Sequence, residues 1–406
     1  MRFSILATLA SLALSYAADY NGVTDPWSFD MEFVQNPAWM STVRDDVLLS
    51  QLSIPGTHNS MTDRIGKIEL QSQKSPLNVQ LHSGIRYFDI SGRIVNNDLQ
   101  VYHRDTPTGY NFGDVFSTIF GFLDANPREV VILRIQKEYF YDRTSAFSQV
   151  LNKYLTPGTL LGNAAANRVY VPSGDKARIP TLGELRGRLV ILQDFKKKDS
   201  FRYFGIPWSS STISSYSFRP SPGNVLKGAR WSLTQCSLRK IGWSSAKTLF
   251  ITHTSVSYGA RPVDIAGGGS GTNEFGMNRY LGEFLRSGNT ARIGVMVMDF
   301  PGAFLINAII RLNTPYGAPQ PIDPGAANPG SYSYPPASGV YPPPAPGVYP
   351  PNSAPGVYPH PAAPGIYPPP PVAYREPDTP VEVYPPPSAP HVGIYPPLPN
   401  NHDSTY

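Results

Sequence analysis

Histidine is scarce in this chain: four of its seven, His58, His82, His103 and His253, share one segment with acidic residues that follow short apolar runs. An unperturbed imidazole titrates near neutral pH, so two of them facing one cavity can serve as general base and general acid. A carboxylate bonded to one ring fixes its tautomer and steadies the imidazolium, and Asp299 in GVMVMDF is the candidate for that role. Other chemistries fit less well. Neither HxxxH nor HxH occurs and Cys236 is the sole cysteine, which argues against zinc. No G-x-S-x-G elbow follows a strand-like run, which argues against a serine triad.

The elements that must position these side chains lie between Trp27 and Pro319. Strands are expected at Leu48–Ile54, Ile85–Ile90, Leu99–Tyr102, Val130–Ile135, Leu189–Leu192, Thr248–Ile251 and Ile293–Met298, several of them apolar throughout, as parallel strands covered on both faces are. Amphipathic helices are expected at Phe112–Asp124, Ser145–Leu155 and Asn278–Arg286. This alternation predicts an α/β fold, an irregular TIM (β/α) barrel. An open doubly wound sheet is the other arrangement, but no glycine fingerprint follows the first strand.

Polar residues recur where these strands end: His58, Asp89, His103, the run Gln136-Lys137-Glu138, Asp194, His253 and Asp299. A single polar strand end is usually a satisfied cap. Seven in series point instead to the barrel face where the strand carboxyl ends converge. Three smaller features read as structural: His82 as a helix end, Arg64 to Ile68 as a surface turn, and Trp208 as a packing residue. The glycine-rich stretch Ala266–Gly276 reads as a rim loop.

The flanks differ in kind. Residues 1–17 carry one arginine, an apolar run and small residues at a cleavage-like position, the pattern of a secretory leader. The chain is therefore expected to be extracellular or in the cell wall. Residues 320–406 hold 28 of the 44 prolines and repeat GVYP or GIYP, a composition that removes amide donors and cannot build a core. That tail is expected to be disordered, a spacer that could also bind a cell-wall or protein partner. It holds one basic residue, Arg375, against five acidic ones, so the chain's +5 net charge resides in the barrel segment. A basic secreted domain suits an anionic surface, and no nucleic-acid-binding motif is present.

Taken in order, IPGTHNS, SGIRYFDISGRI, LQVYH, FLDANPREVVILRIQKEY and GVMVMDF resemble the X domain of phosphatidylinositol-specific phospholipase C, in its compact secreted bacterial form. The resemblance spans about Asp46 to Arg311. It implies a distorted barrel and attack by the inositol 2-hydroxyl on phosphorus, releasing diacylglycerol and a cyclic inositol phosphate. By the same resemblance His58 is the general base, Asp299 its partner and His103 the general acid. Asn59, Asp89, Ser91, Arg93, Lys137 and Asp194 fall at phosphate- or substrate-binding positions. Calcium-dependent relatives place carboxylates where this chain has Asn59, Asp89, Ser91 and Gln136. Either no metal or calcium held by Asn59, Asp89 and Gln136 is therefore expected. The implied partner is an anionic phospholipid at a membrane surface, met by a monomer.

Overall fold

Valine, isoleucine and leucine set two residues apart build the central sheet of this protein. The computed structural model describes residues 18–138, 144–172, 178–196, 204–218, 227–255, 260–269, 274–288 and 291–317. The expected leader and the proline-rich tail lie outside the described residues.

The strands are β1 (Ala18–Tyr20), β2 (Val23–Asp25), β3 (Ile54–Thr57), β4 (Tyr87–Val95), β5 (Asp98–His103), β6 (Thr106–Asn111), β7 (Val130–Lys137), β8 (Arg188–Asp194), β9 (Ile206–Pro207), β10 (Ile213–Ser217), β11 (Leu249–His253) and β12 (Val295–Met298). The helices are α1 (Leu77–Ser83), α2 (Phe112–Ala125), α3 (Thr144–Leu155), α4 (Leu160–Arg168), α5 (Leu182–Leu185), α6 (Lys227–Trp243), α7 (Pro262–Gly267), α8 (Met277–Arg286) and α9 (Ala303–Arg311).

One sheet runs in the order β10-β11-β12-β3-β4-β7-β8-β9, and every pairing along it is parallel. Among the described residues no pairing joins β9 to β10, so the curled sheet stays open at that seam. Period-two alternation assigns each face. Phe88, Ile90, Leu133, Ile135, Leu189 and Ile191 face outward onto Phe112, Phe116 and Leu123 of α2. Ile54, Tyr87, Val130, Ile132, Val190, Leu192, Ile251, Val295 and Val297 face inward and fill the barrel. Both faces are therefore apolar, and each fully buried Val, Leu or Ile contributes about 1.5–3 kcal/mol. Helix α2 begins where Asn111 and Asp114 cap each other's backbone amides and ends at Asn126 before Pro127.

Two expected strands differ from the fold. The run read as a strand at Leu48–Ile54 forms a 3-10 turn at Leu49–Gln51, and β3 starts only at Ile54. Pro55 and Gly56, ordinarily strand breakers, lie inside β3. A Cβ on Gly56 would stand 2.9 Å from the Cβ of Tyr87, so glycine is what lets β3 approach β4. The run read as a third barrel strand is β5, which pairs antiparallel with β4 and continues into β6 as an excursion from the barrel. The packed chain also begins ahead of Trp27. Val23 joins Phe29, Val263, Ala266 and Phe300 in a separate buried cluster beside the end of β12. Ala266 and Gly267, read as part of a loop, complete α7.

Candidate active site

The inward register that is apolar through the barrel turns polar at the carboxyl ends. Ile54 and Gly56 lead to His58, Tyr87 to Asp89, Ile132 to Arg134, Leu192 to Asp194, Ile251 to His253 and Val297 to Asp299. These side chains stack directly on the apolar interior, so each is taken largely out of water.

His58 Nδ1 donates to Asp299 Oδ1 at 2.9 Å, with side chains 9% and 1% exposed. Burial alone would lower the His58 pKa. The charge and hydrogen bond of Asp299, helped by Asp89, outweigh burial and the opposing field of Arg134, holding it above 6.5. With Nδ1–H committed to the carboxylate, Nε2 is left to accept a proton. The backbone is held as firmly: His58 N donates to Met298 O at 2.9 Å, tying the end of β3 to that of β12.

His103 reaches the site by another route than expected. Gly92 pairs with Val101, and two residues further on the returning β5 carries His103 back beside Ile90, next to Asp89. There it lines a small concavity together with Asn59, Asp89, Ser91, Tyr102 and Thr108. Burial, reinforced by the fields of His58 and Arg104, pushes the His103 pKa down to about 3. The fold thus brings a carboxylate-paired imidazole and a neutral one to the same end of the barrel.

Each of these three residues is followed by a left-handed one: Asn59 at φ 43°, Arg104 at φ 55° and Phe300 at φ 46°. Asparagine tolerates that region, whereas Arg104 and Phe300 pay about 1–3 kcal/mol each for it. Phe300 is fixed by its own N–H to Ser72 O at 3.0 Å, by the N–H of Phe29 to its carbonyl at 3.1 Å, and by ring contacts with Tyr20 and Phe29.

Opposite the dyad lies a charge network that centres on a residue sequence reasoning passed over. Arg134 donates from Nη1 to Asp89 Oδ2 at 3.2 Å and from Nη2 and Nε to Asp194 Oδ2 at 2.6 and 3.2 Å. Its guanidinium carbon stacks 3.8 Å from the centre of the Trp208 ring, and Gln136 Nε2 adds a bond to Asp194 at 3.1 Å. The signal was present in VVILRI, a single charge at an inward position of an otherwise apolar strand. His253, noted at a strand end but given no role, stands beside His58 with its pKa held well below 6.5 by burial and the fields of His58, Arg134 and Arg230.

The remaining expected residues divide. Ser91 lines the concavity and hydrogen-bonds Glu138. Arg93 is not brought to the dyad. It pairs with exposed Asp105 at 2.8 Å and stacks on Tyr102 along the hairpin. Lys137 pairs across from Gly92 and alternates away from the inward set of Arg134 and Gln136. Calcium finds a poor donor set in Asn59, Asp89 and Gln136. One Asp89 oxygen is occupied by Arg134, Gln136 turns an N–H to Asp194, and the Asn59 amide nitrogen faces His58 and Ser72. The Arg134 guanidinium pairs with the one carboxylate of that set.

Residues 48–195 match the family described as phosphatidylinositol-specific phospholipase C, X domain. The chain is 28% identical over 305 residues to a 1-phosphatidylinositol phosphodiesterase of Listeria monocytogenes, across 69% of this chain and 86% of that protein. It is 28% identical over 160 residues to a protein of the same name from Staphylococcus aureus, covering 38% of this chain and 49% of the relative. The solved phosphatidylinositol-specific phospholipase C from Listeria monocytogenes superposes with a TM-score of 0.56 at 24% identity, over 69% of this chain and 99% of the other. The expected barrel and the resemblance that implied it are both borne out.

Proposed function

We propose that this chain, with a phosphatidylinositol-specific phospholipase C X-domain match over residues 48–195, is a secreted phosphodiesterase that cleaves phosphatidylinositol or a related glycerophospholipid between glycerol and phosphate. The observation that carries the reading is the His58–Asp299 pair at 2.9 Å, near enough to His103 for the field of His58 to act on it. The nucleophile belongs to the substrate, so the protein needs only proton transfer and charge stabilisation.

His58 Nε2 takes the proton of the inositol 2-hydroxyl as its oxygen bonds to phosphorus, and Asp299 steadies the imidazolium that forms. The bond from phosphorus to the glycerol oxygen breaks, and His103 returns a proton to that oxygen. In the free protein the field of His58 helps keep His103 neutral. A bound phosphodiester reverses the sign of that field and lets His103 carry the proton it donates. Arg134, locked by Asp89 and Asp194, supplies fixed positive charge at the barrel end in place of a metal. The leader directs the chain out of the cell, and the tail acts as a spacer.

The test is hydrolysis of phosphatidylinositol and phosphatidylcholine vesicles with and without EDTA. Cyclic inositol phosphate from the first lipid alone, unchanged by EDTA, is the expected result. No turnover of any phospholipid ends the reading, and loss of turnover with EDTA ends its metal-independent form.

A further inference from the structure

The ends of β3 and β12 carry the dyad, and two buried side-chain amides grip them from opposite sides. Gln73, fully buried, donates from Nε2 to His58 O at 2.8 Å and to Met298 O at 2.9 Å. Asn278, 1% exposed at the start of α8, donates from Nδ2 to Asp299 O at 2.9 Å, Phe300 O at 3.1 Å and Ser28 Oγ at 2.9 Å. Ser28 Oγ in turn donates to Asp25 Oδ2 at 2.6 Å. Each amide thus bonds the backbone of a dyad residue and of its neighbour in β12 or the turn beyond. These bonds to the dyad strands all run to backbone carbonyls.

We infer that Gln73 and Asn278 are positioning residues that set the separation and angle of His58 and Asp299, and that Ser28 aims the Asn278 amide. Three features carry this. Phe300 is held in a left-handed conformation without being glycine, and its carbonyl takes bonds from both the Phe29 N–H and the Asn278 amide. Both strand ends lie at the sheet's polar limit, where His58 N to Met298 O is the last bond between β3 and β12 that the ladder supplies. Each amide is almost fully buried, so its donors have no water to fall back on. The inference rests on the proposed proton-transfer role of the dyad for its kinetic arm, but not for its spectroscopic one.

The experiment uses the full chain with Asn278→Ala, Gln73→Ala and the milder Ser28→Ala. A displaced general base loses reaction geometry rather than binding, so kcat is expected to fall about 10- to 100-fold for the two amide variants while KM changes less than about twofold. Ser28→Ala, which leaves both carbonyl bonds in place, is expected to lower kcat less. In an Asp299→Asn background Asn278→Ala should cost nothing further, because it acts through that carboxylate. The strongly downfield Nδ1 proton of His58 should be sharp in the wild type and broadened or lost in Asn278→Ala. Full additivity with Asp299→Asn, or an undisturbed proton resonance, overturns the inference. Should Asn278→Ala fail to fold, Ser28→Ala decides by the same two readouts. Absence of turnover in the wild type would count against the proposed function, and the proton resonance would still decide the positioning role.

Discussion

The rings of His58 and His253 meet edge to face, with centroids 6.0 Å apart and planes at 85°. Two cations at that separation in a buried site would repel strongly, so one proton is held between them. Asp299 bonds His58, whereas His253 Nδ1 faces the Ser255 hydroxyl at 3.5 Å. The proton therefore belongs to His58.

Titration followed by imidazole NMR should show that ordering. His58 is expected to titrate above 6.5, while His253 and His103 stay neutral far into acid, His103 to about pH 3. A His253 resonance titrating near neutrality would contradict the field argument.

The same ordering sets the pH dependence of turnover. A general base must be deprotonated, so kcat/KM should rise with pH through the raised His58 pKa. Asp299→Asn removes the two largest influences that raise it and leaves burial, which lowers it. The acid limb should then move to lower pH while kcat drops by about 10²–10⁴-fold. An acid limb that moves upward would be inconsistent with the pairing.

Alanine at His58 or His103 separates chemistry from folding. His58→Ala and His103→Ala should each reduce kcat by about 10²–10⁴-fold. His103 lies on an excursion from the barrel, so its variant should keep the wild-type melting temperature. Near-normal turnover in either variant would remove that residue from the mechanism.

Arg134→Leu should be costly for stability as well as activity. It strands Asp89, whose side chain is 3% exposed and whose other oxygen is already buried without a partner. Breaking a buried pair of this kind costs about 3–5 kcal/mol, readable as a lower urea midpoint. A shift under about 1 kcal/mol would mean that the network is better solvated than its burial indicates.

Asp25 offers a test at the other end of the chain. Burial raises its pKa to about 6, against the lowering bonds from Ser28 and the Trp27 backbone. The folded chain then binds a proton the unfolded one has released, so stability falls as pH rises from 3.8 through about 6 and stays lower above. Asp25→Asn should add about 2–3 kcal/mol above pH 7 and nothing below pH 3.8. Equal melting temperatures for the two proteins at pH 8 would refute this.

The barrel was legible because parallel strands covered on both faces must be apolar throughout, and VVILRI and GVMVM are. His58, Asp89, Asp194 and Asp299 were legible as polar residues closing those runs. β3 was misplaced because Pro55 and Gly56 read locally as a turn, while the close approach to Tyr87 is a tertiary fact. His103 was found for an incomplete reason: its position at a strand end was right, but β5 runs antiparallel and returns it to the site through a hairpin. The Arg134 network and the amides of Gln73 and Asn278 join residues far apart in sequence. No periodicity marks such bonds.

Phe300 is seated by Tyr20 and Phe29, from the opposite extremity of the barrel segment, and Asp299 precedes it directly. The carboxylate proposed to pair with the base is therefore seated by contacts between head and foot of the barrel segment. A chain clipped after the first strand pair is expected to lose the Tyr20 ring from that seat and, on the proposed reading, to prime its base less well.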